Sequence, residues 1–153
     1  MSLESSASIS QPSSMYIVAR NFGESIFIQS TTASILYSNS GSCYLSYGSP
    51  KSYLLDDNNF HIYSIIQTSS AAAELYVNGD YIDTQNIGNS SIDKLIIGKK
   101  LRGDISAIVA YSGINSYEDR HRIENWLSES FSIPVLTETK PISYYSASYT
   151  NEY

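Results

Sequence analysis

The sequence predicts an all-β protein whose strands form an antiparallel sandwich or barrel, and three observations support this. Short runs of alternating apolar and polar residues recur along most of the chain, with Gly, Asn and Ser clusters between them. One run has Asn78-Gly79 at its centre, which predicts a hairpin. A single helical pattern, from Ser116 to Phe131, interrupts the series near its end. About ten short strands at such spacing are typical of these two architectures.

The predicted strands are separated by turn-forming segments such as NFGE, NSGS, NIGNSS and SGINS. Cys43, the only cysteine, lies in a predicted strand, so we expect a small core residue and no disulfide within the chain. In chain order the strands cover Met15 to Arg20, Ser25 to Ser30, Ser34 to Ser38, Cys43 to Gly48, Ser52 to Leu55, Phe60 to Thr68, Glu74 to Asn78, Asp80 to Gln85, Lys94 to Lys99 and Asp104 to Ser112.

The hairpin is the clearest local feature. Leu75 and Val77 are expected to point to one face of their strand and Tyr76 to the other. Asn78 and Gly79 suit the two positive-φ positions of a type I′ turn, whose twist matches the strands that it joins.

The helical segment has a start signal, an apolar stripe and a stop signal. Ser116 is the predicted N-cap, with Asp119 three residues later, and Pro134 ends the helix. Because its apolar side chains recur at three- and four-residue steps, we expect them to pack on the sandwich. The stripe consists of Ile123, Trp126, Leu127 and Phe131.

The chain has 153 residues, which suits one domain, and we expect the sandwich to occupy residues 15–135. Residues 1–14 are polar and are expected to form an N-terminal arm. Residues 136–153 form a Ser/Thr-rich tail that carries tyrosines expected to pack on neighbouring chains. These predicted assembly contacts are Tyr144, Tyr145, Tyr149 and Tyr153.

Three segments resemble the C-terminal half of concanavalin A-like, laminin G-type jelly-roll domains. They are NNFHIYSIIQT, AELYVNGDYIDT and KLIIGKKLRGDISAIVAYSGINSYEDRHRIENWLSESFSIP. The resemblance spans roughly Met15 to Pro134 and is most specific from His61 onward. It implies a jelly-roll β-sandwich with one short C-terminal helix, in which the Asn-Gly hairpin is a landmark.

The chain departs from that family in two respects. The family has further strands before the one that matches Met15 to Arg20, so the sandwich is either trimmed or completed by another chain. The E-x-D-x-x-E motif of the glucanase branch is absent.

No catalytic constellation is evident, so we do not expect an enzyme. Retaining glycosidases need two carboxyl groups about 5–5.5 Å apart, yet no predicted strand carries two Glu. Asp80 and Asp83 fall on opposite faces, and Asp104 is alone on its strand. His61 is expected to be a packing residue and His121 to lie on the polar side of the helix, and neither has a well-placed nucleophile.

Loop aromatics and amides are the candidate ligand contacts, because glycans are bound by flat rings and side-chain amides. The same composition would suit a protein–protein interface. The candidates are Tyr47, Tyr53, Asn58, Asn59, Asn78 and Tyr81.

The only metal considered is calcium. Asp56 and Asp57, in the loop DDNN, offer the oxygen ligands that it accepts, and domains of the resembled family hold calcium at a loop rim. The loop lacks the regular spacing of a dedicated calcium loop, and such clusters also form ordinary turns.

Two further motifs allow competing interpretations. The tripeptide Arg102-Gly103-Asp104 matches an integrin-binding motif, but it runs directly into a predicted strand, where Gly-Asp is ordinary. A basic cluster could meet acidic glycans or could be a solvated strand end. The cluster comprises Lys94, Lys99, Lys100 and Arg102.

Charge and hydropathy exclude several partners. The formal net charge of −6 argues against nucleic acid. No segment approaches the roughly 20 apolar residues of a membrane span, and the first residues do not form a classical secretory signal.

These observations predict a non-catalytic recognition or decoration module. We favour a structural surface subunit of a larger assembly such as a virion, for instance a phage capsid decoration or fibre protein that contacts host glycans. Its partners would be copies of itself or capsid or fibre neighbours, and it would lie on the virion surface or outside the cell. The alternatives are a free lectin-like carbohydrate-binding module and, less favoured, a trimmed glycoside hydrolase.

Overall fold

The fold is an antiparallel β-sandwich with one C-terminal helix. The computed structural model describes residues 3–5, 8–22, 25–29, 34–39, 42–45, 58–67, 72–86 and 94–135. Within these ranges, ten strands form two five-stranded sheets. In chain order the elements are β1 (Leu3–Ser5), β2 (Ser13–Asn21), β3 (Ser25–Gln29), β4 (Ser34–Asn39), β5 (Ser42–Leu45), β6 (His61–Gln67), β7 (Ala72–Val77), β8 (Asp80–Asn86), β9 (Leu95–Lys100), β10 (Gly103–Ser112) and α1 (Tyr117–Phe131).

The first sheet has the strand order β1-β9-β3-β4-β5 and the second has the order β10-β2-β6-β7-β8, with antiparallel neighbours throughout. The all-β sandwich predicted from the sequence is confirmed. The predicted strand from Ser52 to Leu55 lies outside the described residues, as does the tail of residues 136–153.

The N-terminal residues contain a strand that the sequence pattern did not indicate. In β1, Leu3 pairs with Ile97 and Ser5 with Leu95 of β9. The Lys94 ammonium also contacts the Glu4 carboxylate. A segment of three residues is too short to show the period-two alternation of a strand. The strand β1 forms because the edge of β9 offers it hydrogen-bonding partners. Residues 1–14, expected to be an arm, therefore include β1 and the first two residues of β2.

The second sheet is covered on both faces, which explains why every residue of β6 is buried. Alternate side chains of β2 and β6 enter different cores. The core between the two sheets contains Met15, Ile17, Ala19, Ile28, Tyr63, Ile65, Leu75, Val77 and Leu95. The core between the second sheet and α1 contains Tyr16, Val18, Ile62, Ile66, Leu127 and Ile133.

The predicted N-cap of α1 is confirmed, whereas the helix ends before the predicted stop at Pro134, because Ser132 caps it. The Asp119 N–H donates to the Ser116 Oγ over 3.1 Å, so Ser116 is the N-cap. The last helical residue is Phe131, and the C-cap Ser132 has a left-handed backbone with φ 54° and ψ 41°. The Ile133 N–H donates to the Ser128 carbonyl oxygen over 3.0 Å.

The predicted packing face of the helix is wrong at Trp126. Its side chain is 56% exposed, and Phe131 is 37% exposed, whereas Arg120, Glu124 and Leu127 are buried. The helix is oriented so that Arg120 and Glu124 face the second sheet. These two side chains can be buried because they neutralise each other's charge and satisfy each other's hydrogen bonds. An apolar-stripe rule cannot anticipate such a pair, because it scores both residues as polar.

The hairpin turn has the backbone that its residues predicted. Asn78 has φ 51° and Gly79 has φ 81°, the two positive angles of a type I′ turn. Leu75 and Val77 are buried, and Tyr76 is half-buried on the opposite face, as expected.

Candidate functional site

A pocket of about 550 Å³ lies at one end of the second sheet. Three chain segments far apart in sequence meet there: the start of β6, the β7–β8 turn and the C-terminal end of α1. Its volume falls within the roughly 300–1,000 Å³ of small-ligand sites. The lining residues are Asn59, Phe60, His61, Asn78, Phe131, Ser132, Ile133 and Pro134.

The wall of the pocket combines flat rings with amides. Phe60 and Phe131 supply aromatic surface, and Asn59 and Asn78 supply side-chain amides. No carboxylate occurs among the described residues that line it. Such a wall can stack on the apolar face of a ligand and hydrogen-bond to its polar groups, and it does not supply the carboxyl pair that a glycosidase needs.

Asn78 joins the hairpin turn to β6 through three hydrogen bonds. Its backbone N–H donates to the Ile62 carbonyl oxygen, and its Oδ1 accepts from the Ile62 N–H, both over 2.8 Å. The Asn78 Nδ2 lies 2.9 Å from the His61 Nδ1.

These contacts determine the tautomer of His61. The Ile62 N–H can only donate, so the Asn78 Oδ1 must face it and the Nδ2 must face His61. The His61 Nδ1 is therefore an acceptor, and the neutral imidazole carries its proton on Nε2. His61 is 7% exposed, so the burial expected of a packing residue is confirmed, and the same residue also lines the pocket.

A charged pair lies beside the pocket, at the end of β2. The Arg20 Nε donates to the Asp104 Oδ2 over 2.7 Å. The Arg20 guanidinium carbon lies 4.8 Å from the ring centroid of Phe60 and 5.2 Å from that of Phe22. Phe60 thus connects this pair with the pocket. Asp104 is the acidic residue of the Arg102-Gly103-Asp104 tripeptide, which enters β10 as the sequence predicted.

The structure brings together part of the predicted ligand set. Asn59 and Asn78 line the pocket, and Asn58 precedes them as an exposed residue with φ 60°. Tyr81 does not line it, because it pairs across the strands with Tyr76. Its ring lies 5.5 Å from that of Tyr76, on the sheet face that α1 covers.

The other candidates lie outside the described residues. They are Tyr47, Tyr53, Asp56, Asp57 and the tail tyrosines Tyr144, Tyr145, Tyr149 and Tyr153. Within the described ranges, no group of three or more His, Cys, Asp or Glu side chains is arranged to hold a metal ion. The α1 helix is not long and apolar enough to cross a membrane, and no other described helix is either.

Sequence reasoning missed Phe60 and Phe131 as pocket residues, and Arg20 and Phe22 as neighbours of Phe60 beside the pocket. The sequence pattern places Phe60 and Arg20 at strand ends and Phe131 in the buried helix stripe. Their positions at the ends of elements were the available signal, since residues there gather at one edge of a sandwich.

The sequence also did not predict a second polar cluster, which lies between α1 and the second sheet. The Arg120 Nη1 donates to both Glu124 carboxylate oxygens, over 2.9 and 2.8 Å, and the Ser64 hydroxyl donates to the Glu124 Oε1 over 2.7 Å. The Arg120 guanidinium carbon lies 3.8 Å from the Tyr76 ring centroid. Ser64 and Glu124 have no exposed surface, so this cluster positions the helix and is closed to ligands.

Two tyrosines around this cluster have perturbed acidities. Burial raises the pKa of Tyr16 to about 12. Burial also raises the pKa of Tyr76, and its hydrogen bond to the Glu74 carboxylate over 2.7 Å adds to the effect. Both hydroxyls therefore stay neutral at physiological pH.

No protein-family model matches the chain, and no curated protein matches it either. Solved structures do match. One is the binding domain of botulinum neurotoxin DC in complex with SialylT, with a TM-score of 0.57, 15% identity, and 76% of this chain and 36% of that chain covered.

Two other matches belong to the same group of toxins. A botulinum neurotoxin type C structure, from a toxin whose cell entry depends upon interaction with two ganglioside molecules, has a TM-score of 0.58 and 14% identity. The neurotoxin DC binding domain in complex with rat synaptotagmin II has the same TM-score and identity. Both cover 75% of this chain and 35% of theirs, so this chain spans about a third of their length. At this identity the likeness shows the fold.

Proposed function

We propose that this chain is a recognition domain without catalytic activity, and that it binds a glycan in the pocket at the start of β6. The observation that carries this proposal is the pocket wall, in which two phenylalanine rings, two side-chain amides and a buried imidazole converge. The chemistry that the wall provides is stacking and hydrogen bonding, and the described residues that line it include no carboxyl group.

Sugar rings match such a wall on physical grounds. One face of a pyranose often presents C–H groups, which stack on an aromatic ring, while the hydroxyl groups at its edge both donate and accept hydrogen bonds. Phe131, 37% exposed at the end of α1, offers the ring surface, and Asn59 offers an exposed amide. Ser132 adds a hydroxyl beside them.

The solved structures with this fold support the proposal by analogy. One is a complex with SialylT, and another comes from a toxin whose cell entry depends on gangliosides. Shared folds host different functions, so the proposal rests on the residues of the pocket. The finer relationship, to laminin G-type jelly rolls, remains part of this proposal.

A glycan array followed by calorimetric titration tests the proposal, with and without added calcium to include the loop of Asp56 and Asp57. We expect saturable binding that weakens about ten-fold or more in Phe131→Ala, because burying an aromatic ring is worth roughly 1.5–3 kcal/mol. Trp126→Ala removes another exposed aromatic of the same helix, outside the pocket, and should bind like the wild type. Absence of glycan binding in both conditions, or unchanged binding by Phe131→Ala, would refute the proposal.

A second candidate function is a surface subunit of a larger assembly, such as a virion. Exposed aromatic and aliphatic side chains around the start of α1 favour it, because large apolar side chains in contact with solvent often mark interfaces. Tyr111 is 42% exposed, Ile114 54% and Tyr117 37%. Such a subunit would lie on the virion surface or outside the cell and would contact copies of itself or other coat proteins.

Light scattering tests this second candidate. The full chain is compared with a version that ends at Pro134 and therefore lacks Tyr144 to Tyr153. An oligomer that becomes a monomer on truncation would support a tail-mediated assembly. A monomer in both cases would contradict it and leave the free recognition domain.

A further inference from the structure

We infer that Arg20 and Asp104 form a second subsite, next to the pocket, for the vicinal hydroxyl groups of a neutral sugar unit. This inference rests on the proposed function, and it adds the class of ligand and an extended binding surface. A ligand of two or more sugar rings would then occupy the pocket with one ring and this pair with the next.

The position of the pair supports the inference. The Arg20 guanidinium carbon lies over the rings of Phe22 and Phe60, 5.2 and 4.8 Å from their centroids. Contacts of this kind attract the cation to the ring faces and restrict its orientation. Phe60 also lines the pocket, so the two subsites share a wall. Phe22 is 51% exposed and offers ring surface to a bound sugar.

The pair also has donors and an acceptor that are available to a ligand. A guanidinium carries five N–H donors, and this one meets the Asp104 carboxylate through its Nε, over 2.7 Å. Within the described part of the chain, neither the Arg20 Nη groups nor the Asp104 Oδ1 has a hydrogen-bond partner. The side chains are 37% and 52% exposed, so a ligand can reach donors and an acceptor at one place.

The charges of this pair favour a neutral ligand over an acidic one. The carboxylate of Asp104 already compensates the charge of Arg20, and it would repel a second carboxylate bound at the Nη groups. Two neighbouring hydroxyl groups can each donate and accept, so they match a donor beside an acceptor.

Titrations with lactose, maltotriose, mannotriose and 3′-sialyllactose test the inference. We expect at least one of the three neutral sugars to bind, and we expect binding to weaken about ten-fold in Arg20→Gln and in Asp104→Asn. Arg20→Lys keeps the charge but removes the fork of donors, so it should weaken binding as well. Arg122→Gln, which changes an exposed arginine on α1, is the matched control and should bind like the wild type.

The variants should fold, since an ion pair exposed to this extent contributes little to stability, and their thermal unfolding is compared with that of the wild type. If Phe131→Ala loses binding while Arg20→Gln and Asp104→Asn bind normally, the subsite is refuted and the glycan pocket stands. If 3′-sialyllactose alone binds, or if Arg20→Lys binds like the wild type, the assignment to neutral vicinal hydroxyls is wrong. If none of the four sugars binds, the inference is refuted, and the array decides the proposed function separately.

Discussion

Replacing Arg120 by Met should destabilise the protein more than any surface change on α1. Arg120 is 4% exposed, and it supplies two of the hydrogen bonds that the buried Glu124 carboxylate receives. Without it, the donor that still reaches the carboxylate at hydrogen-bond distance is the Ser64 hydroxyl, with the His121 Nδ1 3.8 Å away. A carboxylate with no exposed surface is then left without its counter-charge.

The expected magnitude follows from that geometry. Removing one partner of a buried ion pair costs about 3–5 kcal/mol of unfolding free energy. That range includes the energy lost with the contact between the Arg120 guanidinium and the Tyr76 ring, which are 3.8 Å apart. The free energy of unfolding of a domain of this size is about 5–15 kcal/mol, so Arg120→Met should lose a large part of the stability. The double variant Arg120→Met/Glu124→Met should be less destabilised than the single one, because no buried charge is left uncompensated.

Urea unfolding followed by circular dichroism is the appropriate measurement. The only tryptophan, Trp126, is 56% exposed and would report poorly on unfolding by fluorescence. For the same reason Trp126→Ala should change the free energy of unfolding by less than about 1 kcal/mol, and it serves as the control on the same helix. An Arg120→Met variant within about 1 kcal/mol of the wild type, or a large loss in Trp126→Ala, would show that the helix docks through its apolar stripe instead.

Two further predictions concern the hairpin turn and the buried tyrosines. Asn78→Gly should cost about 1–3 kcal/mol of unfolding free energy, because the Ile62 N–H loses its acceptor. Asn78→Ala should cost about 1 kcal/mol more, because alanine is strained at φ 51°; equal losses in the two variants would contradict this. Between about pH 10 and 12 the folded state keeps the Tyr16 proton while the unfolded state loses it, since its folded pKa is raised to about 12. Stability should therefore fall by about 1.4 kcal/mol per pH unit on account of this group, and Tyr16→Phe should lower that slope in urea unfolding measured at pH 9, 10.5 and 11.5.

Features whose signals lie within a few residues could be predicted from the sequence. The Asn78-Gly79 turn could be predicted because few other residues adopt two successive positive φ angles. Ser116 could be predicted as the N-cap because its side chain accepts from a backbone N–H three residues away. The strand pattern from Phe60 to Ser112 followed from alternation, which depends only on neighbouring positions. Of the predicted ligand set, Asn59 and Asn78 were found in the pocket.

Features that depend on a partner distant in the chain could not be predicted in this way. The strand β1 exists because β9 offers an edge to Leu3–Ser5. Arg120 and Glu124 became buried in place of Trp126 because Ser64 and Tyr76 complete the environment of their charges. The pocket joins residues 59–61, 78 and 131–134, and no local pattern marks them as neighbours. Alternation and capping reflect forces within a few residues, whereas these contacts arise only after the sheet has brought remote segments together.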